Sequence, residues 1–506
     1  ESFFPIIYEG NGGGQRVGKF VPFTDNGTID NSVIYNRSDS PKLARTPSSN
    51  GNRKTFTISV WYKPTDLGTR RVLFSADTSG SDYALFEINA NNKAFFTHSS
   101  VGDVISTRTF EDTSKFYHFM LVVDTTQSTA SDRVKIYVDG DLITSLDSST
   151  YPSQDFQTNV NSTSYPMAVG SFNSLTSICT GGYLAEFNFV DGTALTPSTF
   201  GVTDTSTGRW IPKTLSGITY GTNGFRLEFG DSSALGDDTS GNTNDFTATN
   251  LASTDQTTDS PTQNFATLKN NTVNDGTLSE GNLRLVGNTS NYFQKVATLR
   301  PTSGKYYAEF TINSSGGGII AVTDANVVQT SANAYVPFGY GYGWYQANGN
   351  IYDENVAVVT SGSTYTTGDV LAIALDLDNQ EVKFYKNNVL DNTIGLNGTH
   401  VAMAVGDYSN TLSCDITANF GQKSFTYTPP TGFVALQQDN LPTTDKGVSG
   451  LVWAKSRDSA SLPHQLVDSS RGVGNRLISS STAAEAFNSN HLSRFLKGGY
   501  ATGDIN

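Results

Sequence analysis

Apolar and polar positions along this chain repeat mostly with a period of two, the spacing of a β-strand, and no long stretch carries the ~3.6-residue spacing of a helix. In residues 55–62, Phe56, Ile58 and Val60 alternate with small polar residues. Residues 119–124 (FMLVVD) read as a continuous buried strand. Residues 134–142 read as a strand, an Asp139-Gly140 turn and the start of its hairpin partner, and residues 182–189 (GYLAEFNF) close this first series. The second series is clearest at residues 368–388. Ile373, Leu375 and Leu377 share one face and Ala372 and Ala374 the other, a pattern that predicts a strand buried on both sides. Asp378-Asn379-Gln380 supplies a turn, and the return strand points Val382 and Phe384 inward.

Composition narrows the class. A chain of 506 residues exceeds a single core, and the prior is about two to four domains. Forty-eight glycines and 11% aromatics, with abundant Ser, Thr and Asn, predict an all-β architecture with many turns, and the two separate strand series predict tandem antiparallel sandwiches. The division expected is an N-terminal segment over 1–30, a sandwich over 31–200, a Thr/Asp/Asn-rich connection over 201–275, a second sandwich over 276–436 and the start of a third β module over 437–506. Because so long a bare loop is improbable, the connection is expected to dock on both sandwiches through Trp210-Ile211-Pro212 and residues 225–229. The third module stops short at Asn506 and the chain begins at Glu1 without methionine, so a piece of a longer or processed protein is expected.

A formal charge of −14 argues against nucleic-acid binding, which needs a basic surface. No apolar run approaches the ~20 residues that span a bilayer, and no signal-peptide pattern opens the chain, so no membrane insertion is expected. Cys179 and Cys414 fall in different domains and are expected to be unpaired thiols, as in a protein assembled in a reducing cytoplasm.

Several motifs resemble known families. Residues 304–310 (GKYYAEF), the aromatic-glycine residues 339–352, the hairpin at 368–388, and Asn419-Phe420-Gly421 with Pro429-Pro430 and Gly432-Phe433 resemble the SPRY domain. That resemblance implies a concanavalin-like sandwich that binds partners without chemistry. The first series resembles laminin-G-like or pentraxin-like jelly rolls, with Phe116-Tyr117-His118 where that family has Trp-Tyr-His. The module order, together with residues 208–212 (GRWIP), 229–246, 260–267 (SPTQNFAT), 452–458 and 468–472, resembles large virion proteins of marine bacteriophages, described as tail fibres, tail proteins or head fibres.

Candidate chemistry is sparse. Glycanases of this fold class need paired carboxylates, often as an E-x-D-x-x-E strand, which is missing; Asp376 and Asp378 have a pair's spacing but enter a turn. His98, His118, His400, His464 and His491 form no metal-binding spacing, and His118 is expected to be a packed imidazole. Asp231, Asp237, Asp238, Asn242, Asn244 and Asp245 make the densest oxygen cluster. It is a candidate Ca2+ site, with ordinary turn chemistry as the alternative. Tyr340, Tyr342, Trp344 and Tyr345 are candidate ligand-binding rings, with core packing as the alternative.

The expected function is thus a non-enzymatic phage structural protein, resident in the virion after assembly in the host cytoplasm. Its expected partners are other virion proteins and a host surface glycan or protein. No heptad pattern marks a stalk, so homo-oligomerisation, as a trimer, rests on the resemblance alone. The alternative is a bacterial adhesin or extracellular carbohydrate-binding protein; a polysaccharide-degrading enzyme ranks below both.

Overall fold

The computed structural model describes residues 27–442 except 176, 205–208, 270–275, 289–292, 315, 325–340, 354–355, 397–400 and 410–411, and beyond these residues 451–454, 464–468, 475–479, 486–487, 492–496 and 499–502. Nearly every strand pairing in it is antiparallel, the exception being Val434–Ala435 alongside Lys305–Ser314. The chain folds as tandem concanavalin A-like β-sandwiches, and the two large pairs of sheets share no strand.

In the first sandwich the front sheet runs Asp141–Leu142, Val134–Val138, Tyr117–Asp124, Thr55–Pro64, Gly182–Asp191, Ser32–Tyr35, Gln256–Thr257, with Phe225–Leu227 on the far end of Gly182–Asp191. The back sheet is centred on Asp82–Ile88 and Arg71–Ser79. Alternation does what the sequence predicts: Phe56, Ile58, Val60 and Tyr62 point between the sheets, where Phe74, Phe187, Phe189 and Phe225 meet them. Phe74 stacks on Phe189 at 5.8 Å and Phe189 on Phe225 at 5.5 Å. The outward side chains of the same strand are buried too: residues 195–204 and 209–220 lie across the front sheet beside Ser59, at 1% exposure, and Asp259, Asn264 and Phe265 enclose Lys63, at 0%.

The second sandwich packs a sheet centred on Gly318–Asp324 and Val401–Asp407 against one centred on Lys305–Ser314 and Val370–Asp376. Leu371, Ile373 and Leu375 enter its core, while Ala372 and Ala374 meet Tyr307, Phe425 and Phe433 on the outer face, so this strand is covered on both sides. Asp376 closes the following turn, accepting from the backbone N–H of Asp378 at 3.2 Å and of Asn379 at 3.0 Å. The sequence between 437 and 506 contributes a small sheet ordered Leu451–Ala454, Gln465–Asp468, Asn475–Ile478, Ala486–Phe487.

Residues 201–275 do more than connect. Phe225–Leu227, Thr247–Thr249 and Gln256–Thr257 each add a strand to the first sandwich, and Leu268–Lys269 adds one to the second. Both apolar islands dock on the first sandwich, not one on each: Trp210 covers Trp61 and Tyr183, and Phe225, Leu227 and Phe229 sit in the first core.

Between the sandwiches lies a dry polar joint. Lys63 Nζ donates to Asp259 Oδ2 at 2.9 Å, Asn264 Oδ1 at 2.8 Å and Phe265 O at 2.9 Å, which satisfies its three protons. Both charged side chains are fully buried. Tyr183 Oη donates to Gly281 O at 2.7 Å, Asn282 Nδ2 to Thr65 O at 2.8 Å, and Thr257 Oγ1 to Gln422 O at 3.1 Å. Gly281 has φ +70°, and a Cβ there would stand 2.3 Å from Tyr183 Oη, so this contact requires glycine. Replacing Asp259 with Ala leaves Lys63 buried without its counter-charge and is expected to cost ~3–5 kcal/mol. Chemical denaturation tests this, and an unchanged midpoint would discount the joint as a stabilising element.

Candidate functional site

Against the outer face of the front sheet lies a cavity of about 170 Å³ whose floor includes Ser59, Trp61, Glu186, Asn188 and Arg226. A β-bulge creates it. Gly182–Asp191 pairs Ala185 with Trp61 but then Asn188 with Ser59, so three residues run against two. Glu186 absorbs the irregularity with φ +48°, a left-handed value unusual for a residue with a Cβ. Phe187 and Phe189 thereby keep pointing inward while Asn188 faces the cavity.

Arg226, opposite Asn188 on the next strand, forks onto Glu186, Nε to Oε1 at 2.6 Å and Nη2 to Oε2 at 3.0 Å. Nη2 also lies 3.1 Å from Glu228 Oε1. Asn188 Nδ2 donates to Glu186 Oε1 at 3.2 Å and Asn188 Oδ1 accepts from Tyr220 Oη at 2.5 Å. Burial pushes the Glu186 carboxyl upward and Arg226 only partly pulls it back. For Arg226 burial works against the charge, but the bond to Glu186 outweighs it and the guanidinium is held above its usual value.

Next to the cavity His118 stacks on Trp61, ring centroids 4.7 Å apart, and bonds Ser59 Oγ through Nε2 at 2.8 Å. Taken alone that resembles a nucleophile and its base. Trp210, however, donates its Nε1 proton to His118 Nδ1 at 3.0 Å, and an indole nitrogen only donates. By that bond we assign the lone pair to Nδ1 and the proton to Nε2, which donates to Ser59. A base for Ser59 needs the opposite tautomer. Burial lowers the imidazole to about 4, so it is neutral at pH 7. Ser59 has no further partner among the described residues, and its own proton remains uncommitted.

The candidate rings from the sequence are placed differently. Tyr340 lies outside the described residues. Trp344 is 0% exposed, its edge against Tyr365 and Phe384 and its Nε1 donating to Ser363 O at 3.0 Å. Tyr342 is buried in the same core, and Tyr345, buried on the opposite face, stacks on Tyr408 at 5.0 Å. Tyr342 and Trp344 share one face and Tyr345 takes the other, and both faces are covered, so the three offer no open ring to a ligand.

The acidic cluster serves turns. Asp238 accepts from the backbone N–H of Arg226, Ser240 and Asn244 at 2.9, 2.9 and 2.8 Å, and Asp245 Oδ1 accepts from Asp238 N at 3.0 Å. Asp231 bonds Ser233 two residues on, and Asn242 Nδ2 donates to Gly221 O and Gly224 O. Asp237 is exposed beside them. Among the described residues no group of three or more His, Cys, Asp or Glu side chains converges as metal ligands would. Asp376 is held by Lys305 and Asn379, while Asp378 Oδ1 accepts from Gly304 N at 2.8 Å. Cys179 and Cys414 are free and buried. The cavity itself escaped the sequence reading; an Asn two residues after a Glu on a predicted strand is its one local trace.

Two predictions follow from burial. Trp344→Ala should lower stability by ~3–5 kcal/mol through the cavity it leaves, measured by denaturation; a folded, equally stable variant would return that ring to the surface. His118, at about 4 when folded against 6.5 when not, contributes stability that is complete above pH 6.5 and lost as pH falls toward 4. The loss is about 3 kcal/mol. An NMR titration showing His118 protonating above pH 6 would contradict this.

Residues 39–199 match the family model for the concanavalin A-like lectin/glucanases superfamily, Laminin_G_3. No curated protein matches the chain. Among solved structures it is similar to the SPRY domain of human HERC1, at 18% identity over 31% of this chain and 94% of that one, with a TM-score of 0.25. It is also similar to the native heptameric SAP-like pentraxin from Limulus polyphemus, at 15% identity over 33% of this chain and 78% of that one, TM-score 0.25. Residues 39–199 are thus a laminin-G-like domain of concanavalin type, the first of the chain's two sandwiches.

Proposed function

We propose that this chain is a non-catalytic structural protein of a bacteriophage particle, part of a tail or head fibre that contacts the host surface or neighbouring virion proteins. The observation that carries the non-catalytic reading is the direction of the Trp210–His118–Ser59 hydrogen bonds beside a carboxylate already forked by Arg226. Groups so arranged bind; they do not abstract a proton. The particle assignment is supported by the module order and by residues 208–212 and 260–267, which resemble phage virion proteins. The cavity's mixed lining, with Ile29, Trp61, Phe200 and Leu215 beside Ser59, Asn188 and Thr214, suits a small hydroxylated group such as the end of a surface glycan.

Immunogold labelling of purified particles with an antibody raised against residues 31–200 is expected to decorate tails or heads. Purified chain incubated with host polysaccharide is expected to release no reducing sugar. Recovery of the chain only in a host envelope fraction would favour the adhesin instead, and sugar release abolished by Glu186→Gln would make it an enzyme.

A further inference from the structure

We propose that Lys63 and Asn264 become joined by an amide bond between their side chains, with Asp259 as the proton carrier. The three groups already form a closed cluster. Lys63 Nζ stands 2.8 Å from Asn264 Oδ1 and 2.9 Å from Asp259 Oδ2. Lys63 and Asp259 are 0% exposed and Asn264 5%. The rings of Phe116 and Tyr183 close over Nζ at 5.6 and 5.3 Å to their centroids. The Asn264 amide is fixed from its other end, Nδ2 donating to Ser114 O at 2.8 Å and to Gln438 Oε1 at 3.3 Å. Asp259 Oδ1 is held by Phe265 N at 3.2 Å.

This arrangement has what amide exchange requires. Attack on an amide carbon needs an unprotonated amine, a fixed carbonyl within reach, and an acid for the departing nitrogen, all without competing water. Burial lowers Lys63 and raises Asp259, which favours passage of a proton from ammonium to carboxylate; that passage would give a neutral amine beside a carboxylic acid. The Nζ lone pair then forms the bond to Asn264 Cγ while the Cγ–Nδ2 bond breaks. Of the three ammonium protons, one stays on the new amide nitrogen, one leaves with Nδ2 as ammonia, and one remains on Asp259. No oxidant or cofactor enters the balance. Asn264 is the acceptor and not Asp259, because Asp259 is needed to take the proton from the amine.

The bond would link residues 201 positions apart. Tension applied at Lys63 and beyond Asn264 would then bypass the strands of the first sandwich that lie between the two residues, a useful property in a chain that projects from a particle.

The test is the mass of the folded full chain after denaturation. It is expected to be lighter than its sequence by one ammonia, and digestion should yield one branched peptide containing both Lys63 and Asn264. Asp259→Asn and Asn264→Ala should each restore the full mass. Full mass in the wild-type chain, with the two peptides recovered separately, overturns the proposal, as does ammonia loss without a branch. Loss of one water with Lys63 attached to Asp259 would overturn the choice of Asn264. Ammonia loss persisting in Asp259→Asn would remove Asp259 from the reaction.

Discussion

A lysine whose ammonium is fully buried between two domains constrains everything around it. In a dry interior an unpaired charge costs several kcal/mol, so Lys63 requires Asp259, Asn264 and the Phe265 carbonyl together. Those three come from the seven residues just ahead of the second sandwich's first strand, Leu268–Lys269. Satisfying one side chain of the first sandwich therefore sets where the second begins. The Tyr183–Gly281 and Asn282–Thr65 bonds then fix its orientation.

The front sheet shows the same economy on its outer face. Most sandwiches leave that face to water, with polar outward residues. Here residues 195–204 and 209–220 cover it, so the outward Ser59, His118, Glu186 and Asn188 had to find partners inside the protein. They do so as two short chains of hydrogen bonds, Trp210–His118–Ser59 and Tyr220–Asn188–Glu186–Arg226. The bulge at Glu186 brings the second chain into register. The cavity is what remains where the two chains do not meet.

Much of the scaffold was legible in the sequence because period-two alternation is a direct imprint of a sheet with a core on one side. The strands around Phe56, Ile58 and Val60 and around Ile373 and Leu375 lie where that pattern puts them. What alternation does not carry is whether the other side is covered. For that reason Tyr342 and Trp344 stand in the sequence as candidate ligand-binding rings with core packing as the alternative, and the structure places both in the core. Strands of two or three residues, such as Thr247–Thr249 and Gln256–Thr257, are shorter than any period, so residues 201–275 read as connection. Lys63 follows the alternating run of residues 55–62 and carries no local signal of its role. Its partner stands 196 residues away, beyond the reach of any local pattern.

That separation also orders events in time. A chain synthesised from its N-terminus presents Thr55–Pro64 long before residues 256–264 exist. Until they emerge, Ser32–Tyr35 is an open sheet edge and the Lys63 ammonium has no counter-ion, so the nascent first sandwich stays partly hydrated on its front face. Completing the first sandwich thus waits on the ribosome reaching the threshold of the second, although the two share no strand.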